Sequence, residues 1–198
     1  LTYTADDVID EFNRYAHEYS LFNFMESIIV KLKQNGKVRT AETYKSALNS
    51  IQKFRKYEDI MLDNITGELM ESYEASLRSR GLTPNSISFY TRIFRAVYNR
   101  AVENDIIENR NPFRKVYTGV DKTVKRALPL AEIQKIKALD LSLDPALDFA
   151  RDMFMMSFFL RGMSFIDMAF LKKTDLTNGY VSYRRHKTGQ QLVIEWTK

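Results

Sequence analysis

Gly81-Leu82-Thr83-Pro84-Asn85-Ser86-Ile87 opens the stretch on which the fold of this chain turns. Thr83 is a natural helix N-cap, and Pro84 falls at the first helical position, where its missing N–H costs nothing. From there Ile87, Tyr90, Phe94, Val97 and Ala101 recur at helical spacing and form one apolar stripe. Ser88, Arg92, Arg95 and Asn99 form a second stripe that faces elsewhere. A helix with a core face and a separate Ser/Arg/Asn face can lie along a DNA groove. It can equally present an ordinary solvated surface.

Upstream, the same periodicity predicts three further helices. Phe22, Met25, Ile28, Ile29 and Leu32 define the first, closed by Asn35-Gly36. The second is predicted to begin near Thr40 as N-cap, with Tyr44, Ala47, Leu48, Ile51 and Phe54 inward and Lys45, Lys53 and Lys56 away from that stripe. The third runs from the cap Thr66 through Leu69, Tyr73 and Leu77 to Gly81, placed where a left-handed residue is wanted. Downstream, residues 109–129 break the pattern with Asn111-Pro112, Gly119, Lys122, Lys125, Arg126 and Pro129. They read as a basic linker at 111–129 between a helical domain, 1–110, and a second domain, 130–198. The second domain is predicted to hold a short helix over Leu130 to Leu139. A further helix starts at Asp144-Pro145 and turns almost wholly apolar from Met153, as its buried centre. A β-hairpin follows, with strands at Tyr180–His186 and around Leu192, Ile194 and Trp196, joined through Lys187-Thr188-Gly189-Gln190.

With 198 residues, 44% of them hydrophobic, the chain can bury a core and is not of a disordered class. It has no cysteine, which removes disulfides and Cys-based zinc sites and suits a reducing, cytoplasmic setting. Leu1 to Glu18 lack a basic segment followed by an apolar run, so no secretory signal is expected. The apolar run Met153 to Leu160 is far short of the roughly 20 residues that span a bilayer, so no membrane partner is expected. Net charge is +5, but its distribution is more telling. Residues 31–57 hold eight Lys/Arg against one Asp/Glu, residues 58–77 hold none against six, and residues 78–126 hold eleven against four. Two basic blocks flanking an acidic one suit a phosphate backbone if the fold gathers them on one surface.

Two places carry candidate chemistry. Arg161 directly follows the apolar run, and a guanidinium there is costly to desolvate unless an anion meets it. Either Asp152 or Asp167 supplies that anion, or an anionic ligand does. Lys187 sits at the hairpin tip, and Arg185 emerges on the same face if the strand reaches that far. Two cations there suit a phosphate, and a lysine can give a proton to a leaving oxygen. A solvated hairpin tip is the plainer reading. Metal and nucleotide chemistries lack their parts: there are two histidines, His17 and His186, no HExxH and no glycine-rich phosphate loop.

The ordered set of motifs resembles the tyrosine recombinases, or phage integrases, particularly those of bacterial conjugative and mobilisable elements. It consists of Arg39-Thr40-Ala41-Glu42-Thr43-Tyr44, Gly81 to Ile87, Asn111-Pro112-Phe113, Lys122-Thr123-Val124-Lys125-Arg126, Leu160-Arg161-Gly162-Met163-Ser164-Phe165-Ile166-Asp167, and Arg184-Arg185-His186-Lys187-Thr188-Gly189-Gln190. The resemblance runs along the whole chain. It implies a mainly α fold: a four-helix SAM-like core-binding domain, then the first half of an α+β catalytic domain with a small β-hairpin or sheet. It also implies double-stranded DNA as partner, other recombinase protomers in a tetrameric synapse, and integration or excision of mobile DNA. No cofactor or metal is implied, because a phosphotyrosyl link conserves the bond energy.

On this resemblance Lys187 is the hairpin lysine that acts as general acid. Ser164 occupies the position of the family's first catalytic arginine, so Arg161 or Arg185 is expected to supply that charge, with Asp167 at the supporting acidic position. DNA contacts are expected from Lys37, Arg39, Thr40, Thr43, Lys45, Asn85, Ser86, Arg92, Arg95, Lys122, Lys125 and Arg126. The family's His-x-x-Arg and nucleophilic tyrosine are expected beyond residue 198, so this polypeptide is expected to bind DNA and not cleave it. Two other classes are to be discriminated. A non-catalytic DNA-binding regulator would lack that downstream His-x-x-Arg and Tyr in its reading frame. A helical protein-interaction domain would bind duplex weakly and with little salt dependence. Type IB topoisomerases share the chemistry but fit the N-terminal helical pattern less well.

Overall fold

The computed structural model describes residues 4–10 and 19–196. Most of Leu1 to Glu18, with His17, lies outside the described residues. The chain forms two compact units, Leu1–Thr123 and Val124–Lys198.

In the first unit, α1 (Leu21–Gln34) begins at Ser20, whose hydroxyl accepts from the Asn23 N–H at 3.1 Å. That start is tied to the acidic block, because Asp59 accepts from the Ser20 hydroxyl and from the Phe22 N–H. Leu21, Phe22, Met25, Ile28 and Ile29 are buried, as the 3.6-residue period requires. Gly36, at φ +70°, turns the chain directly into α2 (Val38–Phe54). The predicted cap at Thr40 is therefore corrected. The Lys37 N–H already closes α1 on Leu32 O at 2.9 Å, and the Lys37 carbonyl accepts the first bond of α2 from Ala41. The tight turn leaves no room for a cap three residues later, and Thr40 lies inside the first turn of the helix.

α3 (Gly67–Ser79) and α4 (Pro84–Glu103) begin where their sequence caps place them, at Thr66 and Thr83. Tyr73 of α3 is at the centre of the core. Its ring meets Phe54 and Phe94 edge-on at 5.3 and 5.4 Å, and its hydroxyl donates to Ser50 at 2.7 Å. Burial pushes that phenol well above its ordinary value, against smaller lowering effects of the Ser50 hydrogen bond and the Arg80 charge. The inward face of α3 carries Met70 rather than Leu69.

The segment predicted as a linker is divided. Phe113 and Val116 join the core of the first unit. Buried Thr91 donates to Tyr117 O at 2.6 Å, buried Ser88 donates to Gly119 O at 2.5 Å, and the Tyr117 N–H donates to Glu74 at 2.8 Å. Ser88 is thus not on the polar face of α4, because the returning chain covers it. Residues 121–129 carry no regular secondary structure.

The second unit holds α5 (Leu130–Lys137), α6 (Pro145–Phe159), α7 (Phe165–Ala169) and a three-stranded antiparallel sheet. Its strands are β1 (Leu176–Thr177), β2 (Tyr180–Arg184) and β3 (Gln191–Glu195), in that order, with Val181 opposite Ile194 and Tyr183 opposite Leu192. The core is formed by Leu160, Met163, Met168, Val181, Tyr183 and Ile194. The expectation that α6 is the buried centre is corrected. Met155 is its one buried residue, and Phe149, Phe158 and Phe159 are 65%, 43% and 59% exposed. α7 and the sheet pack on the chain just past the helix, so apolar character along α6 exceeds the surface those elements cover. No helix among the described residues is long and apolar enough to cross a membrane.

Candidate functional site

The chemistry-bearing residues of the second unit gather where α7 meets the hairpin. α6 ends at Leu160, and the chain reverses through Arg161 and Gly162, at φ +55° and +80°. The reversal is closed by the Gly162 N–H on Ser157 O at 2.8 Å and by the Ser157 hydroxyl on Met163 O at 2.9 Å. It delivers Ser164 as the N-cap of α7. The Ser164 hydroxyl donates to Asp167 Oδ2 at 2.6 Å and accepts from the Asp167 N–H at 3.3 Å. Asp167 is 4% exposed, and its other oxygen accepts from the backbone N–H of His186 at 2.8 Å. One carboxylate therefore caps a helix and pins the hairpin. The Ser164 hydroxyl, the His186 N–H, and the nearby Arg185 and His186 charges hold it below its ordinary value of 3.8, against a smaller opposing effect of burial. Asp167 stays ionised near neutrality and acts as an anchor rather than a proton acceptor.

The hairpin turn has a defined geometry. The Arg185 N–H donates to Gln190 O at 2.8 Å, and the Gly189 N–H donates to Arg185 O at 2.7 Å with Gly189 at φ +68°. Arg184 braces the same turn from its guanidinium to Gly189 O at 2.7 Å. The His186 ring stacks on Phe170 at 5.7 Å and 12°. β2 stops at Arg184, so strand alternation does not place Arg185 and Lys187 on one face as anticipated; both lie in the turn. Arg185 is half-buried and Lys187 is exposed. A cavity of about 300 Å³ beside them is lined by Asp167, Phe170, Tyr183, Arg184 and His186 among others.

Of the catalytic candidates, Ser164, Asp167 and Arg185 come together. Arg161 is exposed, which removes the burial argument for it, and no ion pair joins it to Asp152 or Asp167. Among the described residues no carboxylate forms an ion pair with Arg161, Arg185 or Lys187. Arg161 and Lys187 are exposed, while the half-buried Arg185 lies near enough to Asp167 for its charge to favour the carboxylate. The anchoring role of the His186 backbone and its stacking on Phe170 left no trace in the sequence, since both depend on tertiary contact. No cluster of three or more His, Asp or Glu among the described residues could hold a metal ion.

In the first unit, Lys37, Arg39 and Thr40 are exposed at the start of α2, with Thr43 one turn on, donating to Thr40 O at 2.7 Å. Lys45 pairs with Glu26, and Arg39 lies 3.7 Å from Glu42; as exposed pairs they hold these cations weakly. Arg92, Arg95 and Asn99 share the exposed face of α4, and Arg95 donates to the Thr118 hydroxyl at 2.9 Å. Ser86 is exposed beside the cap Thr83. Asn85 is committed elsewhere: its carboxamide donates to Asp121 O at 3.2 Å and accepts from the Asp121 N–H at 2.8 Å. Lys122, Lys125 and Arg126 are exposed in the irregular segment. Arg110 and Arg114, which sequence reasoning passed over, line a cavity with Arg95.

Against known proteins, the phage integrase SAM-like domain family matches residues 20–118, half of the chain. No curated protein sequence matches it significantly. Among solved structures, a lambda integrase (75–356) dimer bound to a COC′ core site superposes with a TM-score of 0.70 at 20% identity, over 89% of this chain and 62% of that one. A second lambda integrase dimer on a COC′ core site gives 0.68 at 20%, over 94% and 52%. A lambda integrase tetramer bound to a Holliday junction gives 0.69 at 20%, over 89% and 48%. At this identity the likeness is one of fold, and the chain spans about half to six-tenths of those proteins.

Proposed function

Because the chain belongs to the phage integrase family of tyrosine recombinases, we propose that it binds duplex DNA and serves site-specific recombination, the integration or excision of mobile DNA. Helices α1 to α4 are the DNA-binding part, and residues 130–198 are the first part of the catalytic domain. The observation that carries this reading is the SAM-like match over residues 20–118, on a unit that exposes Lys37, Arg39, Thr40, Arg92 and Arg95. Cations on one helix surface can meet successive phosphates, while Thr and Asn side chains supply neutral hydrogen bonds. Lys122, Lys125 and Arg126 add sequence-independent attraction.

In the catalytic part, Asp167 positions the turn that bears Arg185 and Lys187. Arg185 rather than Arg161 offsets charge on a phosphate, and Lys187 gives a proton to the leaving 5′-oxygen. Ser164 carries no charge and acts through Asp167. On this reading the attacking tyrosine is not among the tyrosines of residues 1–198, and cleavage is expected only of a protein that supplies it. The working complex is a set of protomers on DNA, as the lambda integrase dimers and tetramer are, and the setting is cytoplasmic. A non-catalytic DNA-binding regulator is the second reading, favoured by one observation: Ser164, at the arginine position, has its hydroxyl spent on Asp167.

A nicked suicide duplex separates the two readings in the protein encoded by the full reading frame. Covalent protein–DNA adduct that disappears in Lys187→Ala, with duplex binding retained, supports recombinase chemistry. Absence of adduct from the unmodified protein, or normal adduct in Lys187→Ala, overturns the catalytic assignment.

A further inference from the structure

Arg95, Arg110 and Arg114 line one open cavity of about 740 Å³ on the first unit, with Asn99, Asn109 and Asn111 beside them. Guanidiniums brought around one space repel each other, and an anion relieves that repulsion. The protein supplies none: among the described residues no carboxylate pairs with any of the three. Their internal hydrogen bonds are few. Arg95 donates to the Thr118 hydroxyl at 2.9 Å, and Arg110 reaches Asp63 O at 3.5 Å, the outer edge of hydrogen-bond length. With five N–H donors on each guanidinium, most remain open to a ligand.

The backbone that carries Arg110 and Arg114 is held in place. The hydroxyl of Tyr98, a residue 2% exposed, accepts from the Arg110 N–H at 2.9 Å and donates to Glu108 O at 3.1 Å. The Asn109 side chain accepts from the Asn111 N–H at 2.9 Å, and the Arg114 N–H donates to Asn111 O at 3.2 Å. Phe113 anchors the turn in the core, its ring 5.9 Å from that of Tyr98. A rigid turn that projects two arginines lowers the ordering cost of gripping an anion. The guanidinium fork matches two oxygens of a phosphate, and carboxamides add donors to phosphate or sugar oxygens.

We infer that this cavity seats backbone phosphodiesters of duplex DNA, with Arg110 and Arg114 as its principal contacts and Arg95 shared with the α4 face. The inference rests on the proposed DNA-binding function and extends the contact surface to residues 109–114. The space is wide and open, which suits a polymer backbone running past more than an enclosed small molecule.

The test measures affinity of the chain for a fluorescein-labelled, mixed-sequence duplex over a chloride series. Arg110→Gln with Arg114→Gln should weaken binding and reduce the steepness of the log–log salt plot by about 1 for each arginine that meets a phosphate. Arg110→Lys with Arg114→Lys should keep most of that steepness. Lys135→Gln with Lys137→Gln, an equal charge change in the second unit, should leave it nearly unchanged. Equal losses in the two glutamine pairs would show a bulk-charge effect and overturn the cavity, as would an unaltered slope in the arginine pair beside a steep slope in the unmodified chain. An unmodified chain that binds weakly and without salt dependence would overturn the DNA-binding reading itself. In a parallel melting series at matched ionic strength, inorganic phosphate that stabilises the unmodified chain but not the arginine pair, while duplex binding stays equal in both, would assign the cavity to free phosphate instead. Normal melting of the arginine pair in chloride separates any of these results from misfolding.

Discussion

Replacing Tyr98 with phenylalanine removes one oxygen and keeps the ring, so the edge contact with Phe113 survives. Two hydrogen bonds disappear, one from the Arg110 N–H and one to Glu108 O. Each is worth about 1 kcal/mol net, with a larger penalty if the abandoned group stays dry. Tyr98 is buried, but Glu108 and Arg110 lie at the surface, and water can reach part of the turn. The cost is therefore roughly 1–2 kcal/mol. With a urea slope of about 1–3 kcal/mol per molar, the unfolding midpoint should fall by roughly 0.3–2 M. Because both bonds fix the turn that carries Arg110, its amide should lose hydrogen-exchange protection selectively, while Tyr73 and its neighbours keep theirs. The duplex salt plot should flatten as well, since the arginines are no longer held. An unchanged midpoint together with an Arg110 amide as protected as before would refute the reasoning that this hydroxyl holds the turn.

Other perturbations test other links. Thr91→Val, close to isosteric, leaves Tyr117 O without its buried donor and should cost about 1 kcal/mol. It should also speed proteolytic cutting within 117–121, and an unaltered digestion rate would argue against that tether. Tyr73→Phe breaks the buried bond to Ser50 at similar cost, about 1–2 kcal/mol by urea unfolding, without affecting duplex affinity. Asp167, held below its ordinary value, contributes stability that is complete above the unfolded-state value near 3.8 and is lost as pH falls through the lower folded value. The His186 amide signal should thus shift and lose protection only below about pH 4, and Asp167→Asn should abolish that acid response. The same acid transition in Asp167→Asn would assign it to another carboxylate.

Where a feature depends on neighbours in sequence, it was legible. Thr66, Thr83 and Asp144 cap helices through bonds to residues two or three positions on, so local chemistry alone locates them. Gly36 and Gly81 take the left-handed conformations their positions suggested. Thr40 shows the limit, since the tight turn at Gly36 started α2 earlier. Ser88 shows another: its helical phase put it with Arg92, but the chain returning at Gly119 covers it. The apolar run of α6 revealed how much surface could be buried and not what lies against it. Arg114 fell within the expected linker and Arg110 at its edge, because Asn111-Pro112 reads as a break; only Tyr98, reached across the fold, shows that this segment is fixed. At the hairpin, Asp167 was picked out by its position in a motif. Its two bonds to Ser164 and His186 required the fold.

The central claim is that the first unit grips a phosphate backbone, and the salt dependence of duplex affinity measures this most directly. Phosphate neutralisation displaces condensed cations, so the logarithm of affinity should fall linearly and steeply with the logarithm of chloride concentration, by about 0.9 per phosphate engaged. A line whose slope corresponds to several phosphates is the predicted result. A shallow line with weak binding throughout would contradict it and leave the exposed lysines and arginines as an ordinary solvated surface.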